Sequence, residues 1–265
     1  MSVLGIVIAA AIVGLLGLVI GILLGIVGKV FEVEVDEKEV AVRECLPGNN
    51  CGGCGYAGCD ALAAAIAKGE ASASACPVGG AAAATAIAEI MGAEVDLTRY
   101  VAYVHCCGTP ENAVSKYEYI GNVSCREAAG VGGGSAKLCS YGCMGLGSCV
   151  DACEFNALYI IDGIAKVNKE ECKGCSACVK ACPKHLIELV PYEQHVFVKC
   201  SSHDKGKAVK AACKVGCIGC GMCKRTCEQG AIEIVDSLAV IDYTKCINCG
   251  KCVEKCPTKA LVMIK

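Results

Sequence analysis

The pattern of apolar positions divides the chain into an apolar lead, an alanine-rich middle and a long tract of short strands punctuated by cysteine. Residues 3–27 carry no charge and are drawn largely from Ile, Leu, Val, Gly and Ala. A run of that length predicts one helix able to cross a bilayer. No Lys or Arg precedes it and no polar, small-residue cleavage stretch follows, so a retained anchor is expected rather than a removed leader. Gly17, Gly21 and Gly25 recur every fourth residue, which would let another membrane helix approach that face; glycine is also simply common in such helices. From Val30 to Asp36 apolar and acidic residues alternate, predicting a short strand or stalk. Two Ala-rich helices are expected next, one after Cys59 and one over about 81–91.

From residue 139 the pattern repeats itself. Apolar segments at 157–160, 186–189, 231–234 and 260–263 each follow a cysteine group through a turn, and 164–167 and 238–241 read as return strands. Strand, turn and return strand, twice over, predict two modules built on hairpins. The resulting division is a transmembrane anchor (1–28), a stalk (29–44), a small cysteine domain (45–95), a connecting segment (96–138), a first module (139–190), a second connecting segment (191–212) and a second module (213–265).

Cysteine decides the chemistry, with 26 in 265 residues. Cys172, Cys175, Cys178 and Cys182, followed by Pro183, and Cys246, Cys249, Cys252 and Cys256, followed by Pro257, read C-x2-C-x2-C-x3-C-P. Cys217, Cys220, Cys223 and Cys227 keep the spacing but are followed by Glu228. Cys139, Cys143, Cys149 and Cys153 read as a stretched copy followed by Glu154. This is the spacing that holds 4Fe–4S cubanes, three thiolates from one loop and a fourth from the paired motif. Disulfide frameworks do not repeat such spacing, and zinc knuckles use two well-separated pairs.

Cross-pairing by the ferredoxin rule expects four cages. These are Cys139, Cys143, Cys149 with Cys182; Cys172, Cys175, Cys178 with Cys153; Cys217, Cys220, Cys223 with Cys256; and Cys246, Cys249, Cys252 with Cys227. Cys51, Cys54, Cys59 and Cys76 make a fifth set on a Gly-rich loop and the far end of a helix. Of the six cysteines left over, Cys106 (or Cys107), Cys125, Cys200 and Cys213 flank the modules and could jointly hold a sixth cluster. The alternative is that they are small buried hydrophobes, as free Cys often is; Cys45 reads as a bystander. The expected fold class is α+β: one N-terminal transmembrane helix, a small helical 4Fe–4S domain and two tandem dicluster ferredoxin-like modules.

Other chemistry is missing from the sequence. Gly132-Gly133-Gly134-Ser135 is not a dinucleotide fingerprint, no P-loop is present, and His105, His185, His195 and His203 form no spaced ligand set. No triad, paired-carboxylate site, NAD site, flavin site or nucleic-acid signature is found, so electron transfer is the function expected. Net charge is −2, but Lys199, Lys205, Lys207, Lys210, Lys214, Lys224 and Arg225 crowd around the second module. They could steer an acidic donor or simply be a solvated face.

An apolar lead, then Leu46-Pro47-Gly48-Asn49-Asn50-Cys51-Gly52-Gly53-Cys54-Gly55-Tyr56-Ala57-Gly58-Cys59 with a later Cys76-Pro77-Val78-Gly79-Gly80, then ferredoxin modules: this order resembles the B subunits of Rnf complexes, in the long form of anaerobic bacteria. The resemblance spans essentially the whole chain. It implies an electron-transfer subunit of an ion-translocating ferredoxin:NAD(+) oxidoreductase at the cytoplasmic membrane, cluster domains on the cytoplasmic side, with soluble ferredoxin as donor and the other Rnf subunits as partners. Glu154, Glu228 and the Cys106-Cys107 pair depart from the usual pattern. Rival readings are a membrane-anchored polyferredoxin serving another redox complex, such as a hydrogenase, and a binding module that uses clusters only as staples.

Overall fold

The computed structural model of the chain describes residues 3–30, 36–95, 97–118, 124–130 and 135–264, with side chains from residue 12 to 27 in the first of these segments. Helix α1 runs Val3–Val30, and its described large side chains are exposed hydrophobics. Among the described residues no helix is long and apolar enough to cross a membrane. The transmembrane helix expected over 1–28 is therefore corrected. The alternating stretch after Val30 falls mostly on 31–35, outside the described residues. Beyond it the chain forms helix α2, Glu37–Cys45, rather than a stalk. Asp36 caps α2 by accepting from the Lys38 N–H at 2.9 Å, acids occupy the first turn and Arg43 the last, each suiting the helix dipole.

Helices α3, Cys59–Ala67, and α4, Gly80–Met91, pack on α2 around Val42, Leu62, Ile66 and Ile87, all essentially fully buried. Their core is small and completed by Leu46, Ala63, Ala73 and Ala88. Gly92 closes α4 in the left-handed conformation at φ 64°.

The remainder forms two copies of one antiparallel plan. In the first, β1 (Tyr100–Val104) pairs with β4 (Ile187–Pro191) in the register Tyr100↔Pro191 to Val104↔Ile187. Between them lies a hairpin, β2 (Leu158–Ile161) on β3 (Ile164–Val167). In the second, β5 (Val196–Val198) pairs with β8 (Leu261–Met263), and β6 (Ile232–Val235) with β7 (Leu238–Ile241). Both hairpins turn on two residues of positive φ, Asp162-Gly163 and Asp236-Ser237, the geometry that matches strand twist. The connecting segments thus supply β1 and β5, the strands that close each module on itself. Short helices complete the frame: α5 (Cys125–Gly130), α6 (Ser148–Asp151), α7 (Ala177–Ala181), α8 (Gly206–Ala212), α9 (Met222–Thr226) and α10 (Lys251–Glu254).

Phe197 of β5 joins the two copies. It is fully buried in the first module's core and stacks on Tyr103 of β1 at 4.0 Å between ring centroids, while Tyr243 meets it edge-on at 6.3 Å. His105 adds a polar tie, its Nδ1 donating to the Val198 carbonyl at 2.8 Å. Phe197→Ala should cost about 3–5 kcal/mol, the usual range for emptying an aromatic from a core. The check is the urea midpoint for loss of cluster absorbance; an unmoved midpoint would mean the modules do not share this core.

Candidate functional site

Four loops present the candidate ligands, and their backbone conformations reveal one template. In each, the second residue after the first cysteine has positive φ: Gly145 at 75°, Gly174 at 67°, Gly219 at 65° and Asn248 at 57°. A Cβ on the first three would stand 2.5 to 2.7 Å from a backbone oxygen, of Gly163, Tyr100 and Ser237 respectively, so only glycine fits. Asn248 turns the same conformation to use: its Oδ1 accepts from the His195 and Val196 N–H groups at 3.0 and 3.2 Å. Two residues on, Gly147, Ser176, Gly221 and Gly250 again have positive φ and open α6, α7, α9 and α10, whose first turns carry Cys149, Cys178, Cys223 and Cys252.

Laid on this template, the stretched motif changes its reading. Cys143, Gly145, Gly147 and Cys149 occupy the standard positions, so the place filled by Cys175, Cys220 and Cys249 elsewhere is held by Leu146. Cys139 lies upstream of the loop. One cavity is lined by Cys125 of α5 together with Cys143, Cys149 and Cys182, and not by Cys139. Cys139, expected with Cys143, Cys149 and Cys182, lines a different cavity, and the loop with Leu146 at its middle position brings only Cys143 and Cys149 to this one.

Other cavities gather cysteines from paired motifs. Cys153, Cys172, Cys175 and Cys178 line one cavity, and Cys227, Cys246, Cys249 and Cys252 another. Around Cys223 stand Cys217, Cys220 and Cys256. In the helical domain Cys76 faces Cys54 and Cys59, and Cys51 sits toward Cys175 of the first module. A cleft of about 660 Å³ separates these two regions, lined by Cys54, Cys76, Tyr100 and Cys172 among others. A further cavity is lined by Cys106, Cys107, Cys139, Cys200 and Cys213. Cys45 packs against the helical core instead.

The donor sets fit cubanes. Among the described residues no group of three or more His, Cys, Asp or Glu could hold a single metal ion. A cubane puts its four irons at separate corners, so four sulfurs spread around a cavity suit it where mononuclear zinc would need them to converge. Sulfur also meets backbone donors: the N–H of Ala102 points at Cys172 Sγ (3.3 Å), that of Gly79 at Cys76 Sγ (3.3 Å) and that of Leu186 at Cys182 Sγ (3.5 Å). The buried Gln194 amide donates to Cys246 Sγ at 3.4 Å. Such bonds orient a metal-bound thiolate and offset its charge. Without iron the thiols hold their protons. Burial, then neighbouring cysteines, pushes Cys149 and Cys178 up to about 12, and burial pushes Cys223 and Cys252 up to about 11.

No histidine joins these sets as a fourth donor. His105 lines the Cys106 cavity with Nδ1 committed to Val198, His195 Nδ1 donates to the Ile264 carbonyl at 3.0 Å, and His185 and His203 are exposed. Gly132-Gly133-Gly134 lies outside the described residues.

Comparison with known proteins agrees with this chemistry. A family model described as a putative Fe-S cluster matches residues 46–78, a 4Fe-4S dicluster domain matches 216–261, and a 4Fe-4S binding domain matches 165–188. The chain is 49% identical over 258 residues to the B subunit of the Na(+)-translocating ferredoxin:NAD(+) oxidoreductase complex of Acetobacterium woodii, covering 97% of this chain and 77% of that one. It is 43% identical over 248 residues to the B subunit of the ion-translocating oxidoreductase complex of Methanosarcina acetivorans, covering 93% and 94%. It is 40% identical over 255 residues to the B subunit of the proton-translocating ferredoxin:NAD(+) oxidoreductase complex of Clostridium ljungdahlii, covering 94% and 89%.

Two outcomes follow from the geometry. Cys54→Ala should remove one cluster, about four iron and four sulfide per chain, and loosen residues 45–91, whereas Cys45→Ala should leave iron content unchanged. Full iron in Cys54→Ala would strike that residue from the ligand set. The second outcome is a pH dependence. Thiols with raised pKa favour the protonated, metal-free state at every pH below about 12, and ligation must release those protons. Loss of visible absorbance to a fixed chelator should therefore grow as pH falls from about 8 to about 5; a flat response would count against thiolate ligation.

Proposed function

The chain belongs to the B-subunit family of ion-translocating oxidoreductase complexes, and from that premise we propose that it takes electrons from reduced ferredoxin and passes them to partner subunits of a ferredoxin:NAD(+) oxidoreductase. The observation that carries this reading is the row of cysteine groups that face one another from the helical domain into the first module and within each module. Cys175 faces Cys51 and Cys153, Cys149 faces Cys178, and Cys252 faces Cys223. A 4Fe–4S cluster, when bound, supplies one-electron chemistry that needs no proton or group transfer. The chain's own residues do the rest: thiols hold the irons, the glycine turns keep backbone close, and burial of Cys143, Cys149, Cys172, Cys178, Cys217, Cys223 and Cys252 excludes water. Nicotinamide and flavin sites are assigned to partner subunits. We place the cluster-bearing domains on the cytoplasmic side of the cell membrane, where thiols are kept reduced.

The entry point for the donor is proposed at the second module. Cys220 and Cys249 are its exposed ligands. Lys205, Lys207, Lys210, Lys214, Lys224 and Arg225, neighbours of Cys220 in sequence, are all exposed, and Arg225 donates to the Cys220 carbonyl at 3.4 Å. A positive rim beside an exposed cage would draw in an acidic ferredoxin and act chiefly on encounter rate. Reversing Lys205, Lys207 and Lys210 to Glu should slow reduction by ferredoxin roughly tenfold at low ionic strength, with cluster content unchanged. The deficit should shrink as salt screens the patch. An unaltered rate and salt dependence would send the docking site elsewhere.

A further inference from the structure

We propose that Cys106, Cys139, Cys200 and Cys213 hold a sixth 4Fe–4S cluster between the two dicluster modules, with Cys125 serving the neighbouring cage in place of Cys139. This inference rests on the cluster chemistry of the other cages and not on the identity of the electron donor. The four cysteines come from separate segments, after β1, before the first loop, after β5 and at the end of α8, yet they line one cavity. The framework that gathers them is hydrogen-bonded: the Val114 N–H donates to the Ala212 carbonyl at 3.0 Å and the Lys214 N–H to the Asn112 carbonyl at 2.8 Å.

Each sulfur is turned toward backbone donors, as cluster thiolates are. Cys106 Sγ receives the Gly108 and Cys143 N–H groups at 3.4 and 3.3 Å, and Cys200 Sγ that of Ser202 at 3.5 Å. Beyond the effect of burial, Cys139 meets the N–H groups of Tyr141 and Gly142, and Cys213 those of Val215 and Gly216. Cys107 has the opposite polarity. Its thiol donates to the Lys199 carbonyl at 3.1 Å, which marks it as a protonated neighbour and resolves the choice between Cys106 and Cys107. Lys137 and Lys199 also line the cavity, and Lys137 Nζ is fixed between the carbonyls of Cys143 and Gly163 at 2.7 and 2.9 Å. Half-buried cations suit an anionic guest.

Position gives the site its consequence. The Cys143 N–H touches Cys106, and the Cys217 N–H faces Cys200. One edge of the cavity thus meets a cage of the first module and the other a cage of the second. Without this site the row of cages is interrupted where the modules join.

The test uses the full chain, purified and reconstituted anaerobically, with iron, sulfide and zinc measured per chain. Wild type should carry about 24 iron and about 24 sulfide, six cubanes' worth; about 20 of each, or one zinc in place of the last four irons, overturns the proposal. Cys200→Ala should bring both counts to about 20. Cys139→Ala added to Cys200→Ala should remove nothing more, because both serve one cluster, whereas Cys125→Ala added to Cys200→Ala should bring the counts to about 16. The reverse pattern would restore Cys139 to the first loop and defeat the assignment. Cys107→Ala should keep all the iron, and loss of four irons there would also defeat it. The wild-type count needs no variant to fold, so the existence of the cluster is decided even where a substitution disrupts the chain.

Discussion

Everything in this molecule depends on bringing four cysteine sulfurs together where water is scarce. Thiolates repel one another, and burial alone drives each toward its protonated form, as the raised values at Cys149, Cys178 and Cys200 show. Only a polynuclear metal core reconciles that arrangement, since it binds the thiolates and supplies the missing positive charge. The glycines, the short helices and the N–H groups aimed at sulfur are answers to the same demand. At Gly145, Gly174 and Gly219 the chain must approach a neighbouring carbonyl more closely than any side chain permits. Strands of three to five residues could not hold such a pattern unaided; the clusters contribute the folding energy that these small cores lack.

The parts legible in the sequence were those with local signatures. Complete C-x2-C-x2-C-x3-C runs fixed three loops, and apolar segments such as 164–167 and 238–241 matched β3 and β7 because each hairpin is closed by neighbours in the chain. The strands β1 and β5 escaped. Tyr100-Val101-Ala102-Tyr103-Val104 is a good strand sequence, but its partner lies some ninety residues away at Ile187–Pro191, and nothing local announces that pairing. Residues 37–44 read as part of a stalk, although the Asp36 cap and the acidic first turn that begin α2 are local features; the alternation just before them masked that helix.

The first loop shows how a spacing rule can mislead. Counting cysteines gave Cys139, Cys143, Cys149 and Cys153 as a stretched copy, because a motif with a cysteine at each end invites that alignment. Counting the turn glycines instead aligns Gly145 with Gly174 and Gly219, and Gly147 with Gly221 and Gly250, and exposes Leu146 as the substituted ligand position. The signal was in the sequence, carried by glycine rather than by cysteine. Backbone demand is the stricter constraint here, since a ligand can be delivered from another segment but a positive φ with no room for Cβ cannot.

That freedom of delivery explains why α5 and the connecting segments belong to the electron-carrying part of the molecule rather than to its linkers. An isolated dicluster module is self-sufficient, each loop completing its partner's cage. Once the first loop surrenders its middle position to Leu146, its cage must recruit Cys125, and Cys139 becomes available to face the second module. The same segments carry the aromatic stack of Tyr103 on Phe197 and the His105 tie to Val198, so the residues that gather sulfur at the junction also set the distance between the modules. Packing and ligation at this junction are therefore one constraint: the modules cannot separate without pulling Cys106 and Cys139 away from Cys200 and Cys213.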